Sequence, residues 1–230
     1  MLDDQIRLEK PLLITSKQKE EYLEDGAVLI KNIVSEKWLK RIRSASNEII
    51  ERSREIEESN SQYILEEGHS KNNPRLKRLS SPVDHHSTFW DFISSEMSSQ
   101  LAADVVGPNV KYHHSKLNYK WANGGTEFDW HQDIQSWPHT DYSPVTLGLF
   151  LYDCTSDQGP MLLSVYSSAD SMPYTSNPIP SPYYGTIVRG KRAVWASHDP
   201  RPCQLPPEWS KGYIGPWAHQ DQNKMRGDLI

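Results

Sequence analysis

His131 and Asp133 stand one residue apart in Trp130-His131-Gln132-Asp133. In an extended run, side chains two residues apart point to the same face, so an imidazole and a carboxylate at this spacing converge on one point. That combination suits a divalent metal. Two histidines and one carboxylate on one face of Fe(II) leave its other positions open to a co-substrate and O2. His-x-Asp alone is weak evidence, and its bland reading is a surface turn. The surroundings are more specific. Lys116-Leu117-Asn118-Tyr119-Lys120 lies upstream, with a loop at Gly124-Gly125. Trp137-Pro138 follows, and then the apolar run Val145 to Leu151 leads into Asp157-Gln158-Gly159-Pro160-Met161.

Three segments taken together, His114-Ser115-Lys116-Leu117-Asn118-Tyr119-Lys120, His131-Gln132-Asp133 and Asp157-Gln158-Gly159-Pro160-Met161-Leu162, resemble the phytanoyl-CoA dioxygenase family. The resemblance implies a double-stranded β-helix (jelly-roll, cupin-like) with N-terminal helices packed on one sheet. It implies Fe(II) held by His131 and Asp133, 2-oxoglutarate and O2 as co-substrates, and hydroxylation of a small organic molecule. Asn118 matches a residue that holds the 2-oxoglutarate region, and Phe128 and Trp137 match residues lining that pocket. From the residues alone, Phe128 and Trp137 read equally well as core aromatics. Lys120 reads either as an attractor for a carboxylate or as an exposed strand end.

The chain also departs from the family pattern. Members continue after the Gly-Pro-Met-Leu phrase through a His-Gly-Ser segment holding the third iron ligand, and then an arginine for the far carboxylate of 2-oxoglutarate. Here Gly159-Pro160-Met161-Leu162 runs almost directly into Leu163-Ser164-Val165-Tyr166-Ser167-Ser168-Ala169-Asp170. The join reads as an internal deletion that takes out the distal histidine, the arginine and two or three strands. It would leave an incomplete barrel with open sheet edges and no bidentate guanidinium–carboxylate pair. His198 and His219 lie far enough downstream to replace the third ligand, and His198 is the stronger candidate. Two other readings compete with the oxygenase: a catalytically impaired shortened form that binds or regulates, and a cupin-like module binding carbohydrate or another small molecule.

Composition bounds the partners. The 230 residues carry a net charge of −5 with scattered basic groups, which argues against a nucleic-acid footprint. No apolar run approaches the ~20 residues of a membrane helix, so no membrane association is expected. Met1-Leu2-Asp3-Asp4 is acidic where a leader peptide would be basic, and the two cysteines give neither a disulfide framework nor zinc spacing. A reducing cytoplasm, which suits ferrous iron, is the expected location. The partner is a small-molecule substrate. No basic pocket for an acyl-CoA is visible, and the oligomeric state is not readable.

The elements that must position these groups follow from periodicity. One domain is expected, with a helical part over 1–108, a β-helix core over 109–197 and a Pro- and aromatic-rich tail over 198–230. Thr15-Ser16-Lys17-Gln18 reads as a capping box opening a helix that stops at Gly26. Ala27 to Ile30 reads as a short buried strand. Ser35 caps a second helix with Trp38, Ile42, Ala45 and Ile49 on one stripe. Residues 57–74 read as a loop, Arg75 to Leu79 as a short strand, and Phe89, Ile93, Met97 and Leu101 as a third helix. Strict alternation from Val110 would put Tyr112, His114, Lys116, Asn118 and Lys120 on one face. Val145 to Leu151 reads as a strand buried on both faces, Met161 to Tyr166 as another, and 186–195 as a hairpin across Gly190.

Overall fold

The computed structural model describes residues 6, 8–121, 131, 133–153 and 159–203. Helix α1 (Ser16–Asp25) opens on the capping box: the Gln18 amide donates to the Thr15 hydroxyl at 3.1 Å, and the Gln18 side chain accepts from the Thr15 amide at 2.9 Å. It closes at Gly26, whose φ of +77° is open to glycine at little cost. Helix α2 (Glu36–Ser53) is capped by Ser35 and buries Ile42, Ala45 and Ile49 completely. Its amphipathic stripe fastens it to the sheet.

Strands β1 (Tyr63–Leu65), β2 (Leu76–Ser80), β3 (Val110–Asn118), β4 (Val145–Phe150), β5 (Met161–Ser168) and β6 (Ile187–Arg189) form one antiparallel sheet. The order is β1-β2-β3-β5-β4, with β6 pairing the start of β3. Among the described residues the sheet is open, as expected of an incomplete barrel. Helices α3 (Ser87–Ile93) and α4 (Glu96–Val106) join α2 over its core face, where Leu76, Leu79, Tyr112, Leu117, Leu162 and Tyr166 are buried. Met161-Leu162, the end of the Gly-Pro-Met-Leu phrase, and the Leu-Ser-Val-Tyr phrase run together as the single strand β5, paired with β3 along its length.

Several sequence expectations differ from the structure for identifiable reasons. Ala27 to Ile30 is irregular rather than a buried strand, and Leu29 is 65% exposed, because no described strand lies beside it to complete a ladder. The polar stretch 57–74 contains β1, started by the Asn60 side chain accepting the amides of Gln62 and Tyr63. The third helix is two helices. Ser94 folds its hydroxyl back onto the Trp90 carbonyl at 2.7 Å, and Ser95 caps α4 through the Ser98 amide, the competition with helical bonding expected of serine. Strand β4 lies at the sheet edge, with Val145, Leu147 and Leu149 toward the core and Thr146, Gly148 and Phe150 exposed. No 186–195 hairpin forms. β6 pairs with β3 instead, and Val194 and Trp195 are exposed.

Candidate active site

The site face is set by a bulge in β3. Tyr112 pairs with Tyr166 but His114 pairs with Val165, so His113 is an extra residue in the ladder. One inserted residue swaps the faces taken by the later side chains of the strand. Tyr112 therefore joins Ser115, Leu117 and Tyr119 on the core side, with its hydroxyl 2.8 Å from that of Ser115. The expected grouping of Tyr112 with His114 is thus overturned. His113 and His114 both turn to the opposite side, where their rings meet Trp137. Lys116 shares that face, its ammonium 4.4 Å from the centre of the Trp137 ring. Across the sheet, Val165 stands between His114 and Thr146, which brings Thr146 to the same face.

Asp133 opens a short 3-10 turn, Asp133–Gln135. The extended geometry expected for His131-Gln132-Asp133 is therefore absent at Asp133, yet the two functional groups meet. His131 Nε2 lies 3.5 Å from Asp133 Oδ1, and the side chains are 24% and 35% exposed. Two ligands at right angles, each about 2.1 Å from one divalent ion, are about 3 Å apart. An imidazole and a carboxylate at this separation therefore fit a shared ion, with a solvent-facing side left for other ligands. The second carboxylate oxygen accepts from the Thr146 hydroxyl at 3.1 Å. Burial opposes ionisation of Asp133. The hydrogen bond from His131, the Lys116 charge and the Thr146 hydroxyl together outweigh it and hold the carboxyl below its ordinary pKa. It stays anionic, the form a carboxylate needs in order to hold a metal. Lys116 is itself buried. Loss of hydration brings its pKa down to about 8, against the pull of Asp133 and with the push of Arg78.

A segment running from Ser136 to Thr140 completes the wall. It is held by Thr140 N donating to Met172 O at 2.8 Å and Tyr174 N donating to Pro138 O at 2.9 Å. Trp137 is 1% exposed, and its carbonyl is 2.7 Å from His139 Nδ1. Asn118 is partly buried, and its Oδ1 has no hydrogen-bond partner among the described residues. Lys120 is exposed at the strand end. Phe128, Gln132 and His219 lie outside the described residues. His198 is exposed on a segment tied down by Ser197 N to Asp170 O and Asp199 N to Thr140 O. Among the described residues, no three or more histidine, cysteine, aspartate or glutamate groups are placed to hold one metal ion, so His198 is not brought to His131 and Asp133.

Sequence reasoning placed Lys116 on a polar face suited to a cavity wall and assigned no role to Thr146, His113 or His139. The signal available for Thr146 was alternation on an edge strand; for His113 it was a doubled histidine in a strand, which only a bulge can place on one face. Thr146→Val should weaken Mn(II) binding about tenfold or more, the cost typical of losing a hydrogen bond that orients a metal-binding carboxylate, with little change in melting temperature. Calorimetry on the two proteins measures it, and equal affinities would remove Thr146 from the site.

The phytanoyl-CoA dioxygenase (PhyH) family model matches residues 22–207. The probable alpha-ketoglutarate-dependent hypophosphite dioxygenase of Stutzerimonas stutzeri is 27% identical over 146 residues, covering 64% of this chain and 51% of the relative. The L-proline trans-4-hydroxylase of Streptomyces griseoviridis is 26% identical over 147 residues, covering 62% and 51%. The chain thus spans about half the length of the curated relatives it matches. EctD from S. alaskensis with bound Fe has a similar fold, with a TM-score of 0.60 at 13% identity over 84% of this chain and 90% of that one. At that identity the likeness speaks to the open jelly-roll architecture alone. No described helix is long and apolar enough to cross a membrane.

Proposed function

Because the chain belongs to the phytanoyl-CoA dioxygenase family, we propose that it is an Fe(II)- and 2-oxoglutarate-dependent dioxygenase that hydroxylates a small organic molecule. The observation that supports this most is the convergence of His131 Nε2 and Asp133 Oδ1 at 3.5 Å beside a buried polar wall. Relatives named for activity on hypophosphite and on L-proline support a small molecule as the substrate. A reducing cytoplasm keeps iron ferrous, and we assign the reaction to it.

His131 and Asp133 would hold the iron, which with O2 and 2-oxoglutarate supplies the oxidising chemistry. The chain's own residues bind and orient. Thr146 fixes the carboxylate plane of Asp133. Lys116 supplies a positive charge on the same face, where it favours the anionic form of Asp133 and attracts a co-substrate carboxylate. Trp137 covers the ammonium and separates it from bulk water. Asn118 offers a buried amide oxygen to a hydrogen-bond donor, Phe128 belongs to the co-substrate region by the family pattern, and Lys120 attracts a co-substrate carboxylate.

The test is O2 consumption by the purified chain with Fe(II), with and without 2-oxoglutarate. The expected result is uptake that depends on 2-oxoglutarate, yields succinate and disappears in His131→Ala. A folded wild-type protein with no such uptake, no better than the variant, would overturn the proposal.

A further inference from the structure

Three imidazoles stand together behind Trp137. His113 and His114 come from the β3 bulge and His139 from the Ser136–Thr140 segment. They are 1%, 0% and 2% exposed. The His113 ring centre is 4.9 Å from that of His114 and 5.0 Å from that of His139. In each, Nε2 is buried without a hydrogen-bond partner among the described residues. Buried polar atoms are rarely left unpaired, and three such atoms in one cluster mark a place where something other than the polypeptide makes the bonds.

The hydrogen bonds that do exist say what that partner must be. His139 Nδ1 faces a carbonyl, so this nitrogen carries the proton and Nε2 presents a lone pair. His113 Nδ1 and His114 Nδ1 are 2.6 Å apart, so one donates to the other. The donor ring then presents a lone pair at Nε2 and the acceptor ring an N–H. The cluster offers two acceptors and one donor. Lys111 and Lys116 on β3 are the cations felt by the cluster, and Asp141 is the anion felt by His139. Tyr184 adds a neutral ring edge against His113. Lys111 donates to the Ser171 carbonyl and also feels the carboxylates of Asp141 and Asp170. With lysines the charges that act on His113 and His114, two lone pairs do not suit a cationic ligand. They suit an oxyanion that binds together with a proton taken from solvent.

We propose that His113, His114 and His139 receive the acidic group of a reactant, a carboxylate or a phosphorus oxyanion, and take up a proton as it binds. The step is an association: one anion and one proton from solvent give an imidazolium paired with the oxyanion, and no covalent bond to carbon or phosphorus changes. The gain is a charge-assisted hydrogen bond in place of a neutral one. Burial keeps His113 and His139 neutral in the protein alone, pushing them down to about 3 and about 4. An anion beside them reverses that preference. Among the described residues, no group of three ligating side chains is arranged for a metal here. The proposal rests on the oxygenase reading only in taking the acidic group to belong to a reactant of that site.

The experiment is calorimetry on the metal-free protein in chelator, near neutral pH, in two buffers of different protonation enthalpy. The probes are 2-oxoglutarate and inorganic phosphate. Binding of either with uptake of about one proton is the expected result, weakened about tenfold or more in His139→Gln. Phosphate binding in the presence of saturating 2-oxoglutarate assigns the acidic group to the substrate; competition between the two assigns it to the co-substrate. Because buried variants can fail to fold, the imidazole 15N shifts of the wild-type protein give a second readout, and at least one ring should move to the imidazolium range on adding the probe. Binding of neither probe, binding without proton uptake, or unmoved imidazole nitrogens would overturn the proposal. None of these results touches iron-dependent O2 uptake, so failure here is distinguishable from failure of the oxygenase reading.

Discussion

Asp133→Asn is expected to lower Mn(II) and Fe(II) affinity at least about a hundredfold and to abolish 2-oxoglutarate-dependent O2 uptake. Losing a partner that only orients a ligand typically costs ten- to a hundredfold in metal affinity, and this substitution removes the anionic ligand itself. The amide keeps the shape of the carboxylate and can still accept from Thr146, whose hydroxyl lies 3.1 Å from Oδ2, so geometry is largely retained while charge is lost. Lys116 loses the carboxylate that favours its charged form. Because the Asp133 side chain is 35% exposed, solvent screens much of that loss, and stability should fall by no more than about 1 kcal/mol. Mn(II) calorimetry alongside thermal melts separates the two effects. An unchanged Mn(II) affinity in a folded variant would remove Asp133 as a ligand.

Acidification from pH 7 to pH 5 is expected to destabilise the fold by about 3–4 kcal/mol through His113 and His139 alone. Burial is the main cause of their depressed folded-state values, about 3 and about 4, against about 6.5 in an unfolded chain. Between those values the unfolded state binds more protons, so stability rises with pH and is lost as pH falls below about 6.5. Each pH unit in that window costs about 1.4 kcal/mol per histidine. His114, lowered by burial in the same direction, adds to the effect. Denaturant titrations at pH 7, 6 and 5 measure it, and a flat profile across that range would show that the cluster is hydrated or already protonated. A bound oxyanion should reduce the slope, since it stabilises the charged rings.

Local rules were legible where the chemistry is local. The Thr15 capping box, the Gly26 stop, the Ser35 cap and the Ile42-Ala45-Ile49 stripe each depend on residues within a turn or two of one another. The segments carrying the family resemblance were likewise legible, because each is a short run of neighbouring residues. Alternation failed where it depended on a neighbour strand. The doubled histidine in Tyr112-His113-His114 does not by itself fix a bulge; the pairing of β3 with β5, which leaves His113 as the extra residue, does. The face assigned to each residue after Tyr112 depends on that one insertion.

His131 Nε2 and Asp133 Oδ1 lie 3.5 Å apart, with Asp133 at the start of a 3-10 turn rather than in a strand. Side chains can converge by more than one backbone path, and spacing constrains the meeting better than the path. Trp137 and the face carrying Lys116 were named from the sequence, but how they and the other residues stand around the pair came from tertiary structure. Thr146 is brought by an edge strand, Trp137 and His139 by a segment anchored on residues 172–174, and Lys116 by the register of β3 beyond its bulge. Short motifs determined the family and the helix ends, because those are written in neighbouring residues. The polar wall was decided by packing, because its members are separated in sequence and burial, not spacing, fixes their charge.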